Sequence, residues 1–380
     1  MIYLDHNATT PVLPEVREAM LPYLSDEWGN PSSSYRFGSK LKGVMERARE
    51  QVADLIGAKS TREIIFTSGG TESNNTAIHS AVMVQPEKRH IVTSQVEHSS
   101  VLTYCRYLEQ YHGYRVTYLP VDHEGLLSMK DLENAIVDDT ALVSLMWANN
   151  ETGVLFPVAE IAAFCRSRGL LYHCDAVQAV GKMHVDLGSF SCDYLSLAGH
   201  KIGAAKGVGA LYVHRAAPFV PLLHGGHQER SRRGGTENVT SIAGLGAAAS
   251  IALKKLPFYE LSVRALRDSL EEGILQTIPG TERNGHKDQR LANTTNIAFS
   301  GFESEALLIL LDQAGVFASS GSACLADSPD PSHVIGAMKP GELSRQSVRF
   351  SLGDNLSPLD IFQCLPSIQS CSADLLAIKL

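Results

Sequence analysis

Between Glu63 and Val213 short apolar runs alternate with helical patterns, and this alternation constrains the fold more than any other feature of the chain. Ile64-Ile65-Phe66, Ile91-Val92, Val116-Thr117-Tyr118-Leu119, Leu142 to Met146 and Leu170-Leu171-Tyr172 read as buried strands, with helices between most of them. Continuously apolar strands separated by helices predict an α/β unit with a mostly parallel sheet. Functional side chains of such a sheet collect at the carboxyl ends of its strands. Helical spacing also marks Pro14 to Leu24 and Gly38 to Ile56 ahead of the first strand. After Val213 the pattern changes. Gly- and Arg-rich residues 225 to 235 precede helical stretches near Thr240 to Lys255 and Phe258 to Thr277. Strand-like Asn296 to Phe299, a helix from Glu303 to Ala314 and a strand at Ser347 to Phe350 then predict a smaller α+β lobe. The expected boundary lies near Leu256-Pro257, giving a large domain of 15–256 and a small domain of 1–14 and 257–380.

Charge and cysteine usage narrow the function. With 33 basic and 41 acidic side chains the net charge is -8, which argues against a general nucleic-acid surface. No basic segment followed by an apolar one opens the chain, and no uninterrupted apolar run approaches bilayer length, so a cytoplasmic protein without a membrane partner is expected. The seven cysteines are widely spaced with no C-x-x-C pair, which indicates neither a disulfide framework nor a zinc site. His224-Gly225-Gly226-His227 has no third ligand nearby and is read as non-metal.

Several stretches carry chemistry. Tyr194 to Ala198 is an apolar run that ends at Gly199-His200-Lys201, followed by a small-residue turn and a second apolar run. A lysine held beside an apolar wall loses its proton more readily and becomes a nucleophile towards an aldehyde cofactor, of which pyridoxal phosphate is the usual one. Ser68-Gly69-Gly70-Thr71-Glu72-Ser73 follows a strand and opens a helix, leaving backbone N–H groups for an anion. Asp175 ends the run from Leu170; on its own it is better read as a helix N-cap than as the partner of a protonated pyridine nitrogen, with Gln178 one turn on. His98 also follows a strand and precedes a helix, and is either structural or a proton carrier on a ring face. Asn149-Asn150-Glu151-Thr152-Gly153 ends another strand. Cys324 sits in Ser319-Ser320-Gly321-Ser322-Ala323-Cys324, with turn-forming residues after it, which predicts an exposed loop and an available thiol. Cys105, Cys165, Cys174 and Cys192 fall in helical or strand patterns and read as packing residues. Arg349 lies in the late strand, as a surface ion pair or as a fork for a substrate carboxylate.

Taken together these segments resemble the cysteine desulfurases of the NifS/IscS type, within the fold-type I pyridoxal phosphate enzymes. The resemblance runs nearly end to end, through Tyr3-Leu4-Asp5-His6-Asn7-Ala8-Thr9-Thr10, Thr67 to Asn74, Asn149 to Gly153, Gly199-His200-Lys201, Gly225 to Arg230, Arg233 to Asn238, Ser320 to Cys324 and Pro331 to Val334. It implies that Lys201 is the covalent anchor of the cofactor, that His98 stacks on its ring and that Asp175 pairs with the ring nitrogen. Gln178 and Asn150 would surround the ring hydroxyl and the substrate; Gly70, Thr71 and His200 would hold the phosphate; Thr236 would reach the phosphate of the partner subunit in a homodimer. Arg349 would hold the carboxylate of L-cysteine. Cys324 would take the sulfur as a persulfide, leaving alanine, and pass it to an iron-sulfur scaffold or another sulfur acceptor, with at most a transient cluster contact and no resident metal. The chain departs from the family at Ala198, where a phosphate-binding serine is common, at Ala205, where proline is usual, and in the residues after Cys324. A selenocysteine lyase or aminotransferase of the same fold is the alternative among enzymes, and a non-catalytic sulfur carrier the alternative outside them.

Overall fold

The computed structural model describes residues 1–320 and 331–378. Its centre is a seven-stranded sheet in the order Ile64–Thr67, Gly209–Val213, Tyr194–Ala198, Leu171–Asp175, Thr140–Met146, His90–Ser94 and Arg115–Leu119. Gly209–Val213 runs antiparallel to both neighbours, and the other pairs are parallel. Strands such as Thr140–Met146 and Tyr194–Ala198 are buried at every residue, which is why they read as continuous apolar runs. Successive side chains point to opposite faces. Ile65, Ile91, Leu142 and Leu211 meet Ala77, Ile78, Ala81 and Val101 of the helices Gly70–Met83 and Ser99–His112 on one side. Phe66, Val92, Val143 and Leu195 share the opposite core with Val52, Ile161 and Leu245 of three other helices.

A second core gathers Leu4, Val263, Leu270, Ile297, Leu307, Val348, Phe350 and Ile368. It contains an antiparallel sheet of Thr281–Asn284, Thr294–Phe299 and Ser347–Ser351, and the N-terminal strand Ile2–Tyr3, which pairs in parallel with Val316–Phe317. From there the chain crosses to the carboxyl edge of the large sheet, where Thr10 donates its backbone N–H to the His200 carbonyl at 2.9 Å.

Two helices were expected around Leu256-Pro257, but one helix, Val239–Thr277, runs through both. Pro257 removes only the hydrogen bond to the Leu253 carbonyl, and Leu253 lies on an exposed face where water replaces it. The first half of this helix packs into the core of the large sheet and its second half into the smaller core. It is the one helix among the described residues long and apolar enough to cross a membrane, yet half of that apolar window is buried inside the fold. Close packing explains its small residues: a Cβ on Gly246 would lie 2.6 Å from the Ala48 Cα. A C-terminal helix, Pro358–Ile378, carries no marker that the sequence reading used, and it packs Ile361, Cys364 and Ile368 into the smaller core. All six described cysteines are buried and free.

His173 sits fully buried in the strand Leu171–Asp175, with Nδ1 2.8 Å from the Ser144 hydroxyl and Nε2 2.9 Å from the Ser196 hydroxyl. Burial pushes its pKa down to about 4. Between the ordinary histidine value and that one, the unfolded chain binds a proton that the folded chain does not. Stability therefore falls on the order of 3 kcal/mol as pH drops from about 6.5 to about 4. We expect His173→Gln to lose less stability on acidification than the wild type, measured as the change in urea midpoint between about pH 7.5 and 4.5; equal losses would remove His173 as the cause.

Candidate active site

Strand ends and helix starts bring the singled-out residues to one place. Asp175, Met146 and Ala198 each end a strand of the large sheet, Gly70 opens a helix just after Ile64–Thr67, and His98 caps the helix that follows His90–Ser94. A cavity of about 420 Å³ opens between them, and its wall includes Lys201, His98, Asp175, Gln178, Asn150, Gly70, Thr71, His200 and Arg349. Thr236, expected to serve a partner subunit, is exposed and lies outside this wall. Cys324 lies outside the described residues; Pro331 and His333, where the description resumes, line the cavity.

The Asp175 carboxylate is buried, and its hydrogen-bond donors are neutral: the Asn74 amide reaches Oδ2 at 2.7 Å and the Val177 backbone N–H reaches Oδ1 at 3.0 Å. A tight turn and no helix follows Asp175, so it is not a helix N-cap, and its side chain lines the cavity. His98 accepts the Ser100 backbone N–H at Nδ1, 3.1 Å away, with the Ser100 hydroxyl at 2.8 Å. Since a backbone N–H can only donate, the proton of the neutral ring is on Nε2. Burial lowers the His98 pKa, Asp175 opposes this, and Lys201 and His333 add to it.

Lys201 ends a short 3-10 turn, Gly199–Lys201, set by the strand before it. Its Nζ donates to the carbonyls of Asn7 at 2.6 Å and Ala8 at 2.8 Å. His200 has Nδ1 3.2 Å from the Thr9 hydroxyl, and burial, with Lys201 and Lys206 next in weight, pushes its pKa down to about 4. The helix Gly70–Met83 starts against the Asp175 turn so closely that a Cβ on Gly70 would lie 2.8 Å from the Val177 Cγ2 and 3.5 Å from the Ala198 Cβ. A helix N-terminus with lysines nearby is an anion site. Arg349 is buried, not on the surface, and donates to Asp5 Oδ1 at 2.7 Å and to the Asn150 carbonyl at 3.0 Å.

Sequence reasoning missed Asn7, Asn74, Ser100, Lys182 and His333. Asn7 lay in the Tyr3 to Thr10 segment of the resemblance, where no role was expected of it. Asn74 and Ser100 stand in the first turns of the helices after two strands, a signal that could have marked them. His333 Nε2 lies 3.0 Å from the Glu97 carbonyl. Because a carbonyl only accepts, His333 Nε2 is the donor. Glu97 itself is fully buried and pushed up to about 8, so it keeps its proton at neutral pH.

The aminotransferase class-V family model matches residues 2–361. The chain belongs to that family. Among relatives within it, Cysteine desulfurase 2 of Trichormus variabilis is 51% identical over 372 residues, covering 97% of this chain and 93% of that protein. Cysteine desulfurase NifS of Azotobacter vinelandii is 51% identical over 352 residues, covering 92% and 87%. Among solved structures, a NifS-like protein superposes with a TM-score of 0.92 at 34% identity, covering 98% of this chain and 99% of the other. A structure described as SspA in complex with cysteine gives 0.82 at 36% identity, covering 93% and 99%. The likeness to class-V aminotransferases thus extends over both cores and the cavity between them.

The electrostatics of His98 can be checked by NMR. Its ring is expected to titrate below 6.5, and Asp175→Asn, which removes the opposing carboxylate, is expected to move that titration lower still. An upward shift in the variant would contradict the arrangement.

Proposed function

We propose that this protein is a pyridoxal phosphate-dependent cysteine desulfurase that takes sulfur from L-cysteine, releases L-alanine and carries the sulfur as a persulfide on Cys324. The observation that carries the reading is the convergence of Lys201, Asp175, His98 and Arg349 on one cavity at the strand ends. The names of its relatives, and the cysteine in the SspA structure, support the same substrate. The residues fit the cofactor on three counts: a lysine amine, a buried carboxylate that accepts from the Asn74 amide and the Val177 N–H, and a helix start packed too tightly for a side chain at Gly70.

Pyridoxal phosphate, when bound, supplies an electron sink that labilises the bonds around the substrate Cα and Cβ. Lys201 would anchor it, Asp175 would pair with its ring nitrogen, Gly70, Thr71 and His200 would hold its phosphate, and Gln178 and Asn150 would border its ring hydroxyl. Lys201 Nζ moves the proton at the substrate Cα. His98, neutral with its proton on Nε2, can donate at its cavity edge. Arg349 is held by Asp5 and Asn150 as a fixed cation for the substrate carboxylate, so orientation is set before any bond changes. In the transfer the Cys324 thiolate attacks the substrate sulfur; the C–S bond breaks, the S–S bond forms, and Cβ takes up a proton to give alanine. The persulfide then passes to an acceptor, an iron-sulfur scaffold or another sulfur-carrying protein, and the enzyme works as a cytoplasmic homodimer with Thr236 reaching the phosphate of the partner subunit. The small domain, 1–14 and 257–380, carries the Cys324 segment, and the large domain, 15–256, carries the cofactor.

The function is tested by the products from L-cysteine. Wild type is expected to form alanine and a protein persulfide, while Cys324→Ala still binds the cofactor and forms no alanine. Near-normal alanine from the variant would overturn the role of Cys324. Ala198 gives a second test, because its Cβ points at the helix start where a serine hydroxyl would meet the phosphate. A charge-assisted hydrogen bond is worth roughly 1.5–3 kcal/mol, so Ala198→Ser is expected to lower the cofactor dissociation constant by about tenfold or more, with turnover at saturating cofactor unchanged. Equal constants on dialysis and back-titration would mean that another donor already serves the phosphate.

A further inference from the structure

Lys182 is buried to 4% exposure and has no role in the chemistry above. Its Nζ donates to Gln178 Oε1 at 2.6 Å and to Asn7 Oδ1 at 2.7 Å, both neutral acceptors. Burying an amine that faces no carboxylate is costly. Burial, reinforced by Lys201 and Arg349, pushes its pKa well below the ordinary lysine value. Charged or neutral, the nitrogen still has hydrogens for both oxygens.

Gln178 is thereby fixed in one orientation. Its amide sits between Lys182 Nζ, which donates to Gln178 Oε1, and the Asn7 carbonyl, which can only accept and takes Gln178 Nε2 at 3.1 Å. Rotating the amide by half a turn would set its oxygen against the Asn7 carbonyl and take from Lys182 the oxygen to which it donates. The same Asn7 carbonyl accepts Lys201 Nζ at 2.6 Å, so the lysine anchor and the glutamine share one acceptor.

We infer that Lys182 is a positioning residue that locks the Gln178 amide with its oxygen turned away from the bound cofactor, so that the cavity receives an N–H donor at this place. The inference rests on the cofactor reading above. A donor there meets the electron-rich ring hydroxyl, whereas the oxygen of a rotated amide would repel it. Lys182 acts only through its neighbours and touches no reacting atom.

A double-mutant cycle on the holoenzyme tests this, with the pyridoxal phosphate dissociation constant from equilibrium dialysis as the readout. Lys182→Met keeps an unbranched side chain one atom shorter and removes its donors. It is expected to weaken cofactor binding roughly tenfold in the wild-type background. In the Gln178→Ala background it is expected to cost no more than about threefold, because the amide it orients is gone. A full tenfold loss in both backgrounds, or no loss in either, would overturn the inference. Should Lys182→Met fail to fold, Gln178→Glu serves in its place: the carboxylate satisfies Lys182 but offers the cavity no N–H, so binding should weaken as in Gln178→Ala, and wild-type affinity would overturn the inference. Failure of the cofactor reading is distinguishable, since the wild type itself would then bind no pyridoxal phosphate.

Discussion

The active-site cavity depends on one asparagine. Asn7 donates its amide to the Asn150 carbonyl at 3.1 Å and to the Thr294 hydroxyl at 2.9 Å, and accepts at Oδ1 from Lys182 and Asn293. Its own carbonyl takes Lys201 and Gln178. These partners come from both cores. A single buried residue therefore ties the end of a large-sheet strand, the reactive lysine and the small antiparallel sheet into one rigid wall. Buried polar groups are tolerated where every donor meets an acceptor, and here the saturation of Asn7 is what makes the geometry unique.

Around that hub, burial sets the charge states more than pairing does. His98, His173, His200 and Lys182 are all driven towards their neutral forms, and desolvation is the largest cause for each. Ion pairing appears instead where orientation matters: Arg349 is held to Asp5, and Arg49 grips the Glu229 carboxylate with bonds of 2.7 and 2.8 Å. The second pair also keeps Glu229, Arg230 and Ser231 in left-handed backbone conformations that non-glycine residues rarely adopt. That pins the start of the exposed segment leading to Thr236.

The strands of the large sheet were legible because burial on both faces leaves a run of apolar residues that no exposed element has. The strand-end residues followed from the same logic: Asp175, His98 and Asn150 could be placed at one edge without knowing the strand order. Less legible was anything fixed by contacts across the chain. Nothing in the wording around Lys182 separates it from a surface lysine, and nothing near Asn7 announces its partners, since these are spread from Asn150 to Ser351. Pro257 misled the reading because a proline stops a helix only where the lost bond cannot be replaced, and that depends on which face meets water. The antiparallel strand Gly209–Val213 was anticipated as apolar, but its direction is set by the short turn after Lys201, a matter of length and not of composition.

The pairing of Ile2–Tyr3 with Val316–Phe317 has a bearing on synthesis. Ile2–Tyr3 has no strand to join until Val316–Phe317 has been made. The large sheet, by contrast, closes from strands that all lie between Ile64 and Val213. Its strands and helices can collapse while the N-terminal strip is still unattached, and the Asn7 and Ala8 carbonyls reach Lys201 only when that strip is drawn across the sheet edge. Lys201 can thus be placed by the large sheet before its Nζ meets those carbonyls, so a nascent chain can carry the fold well before it carries the finished cavity wall.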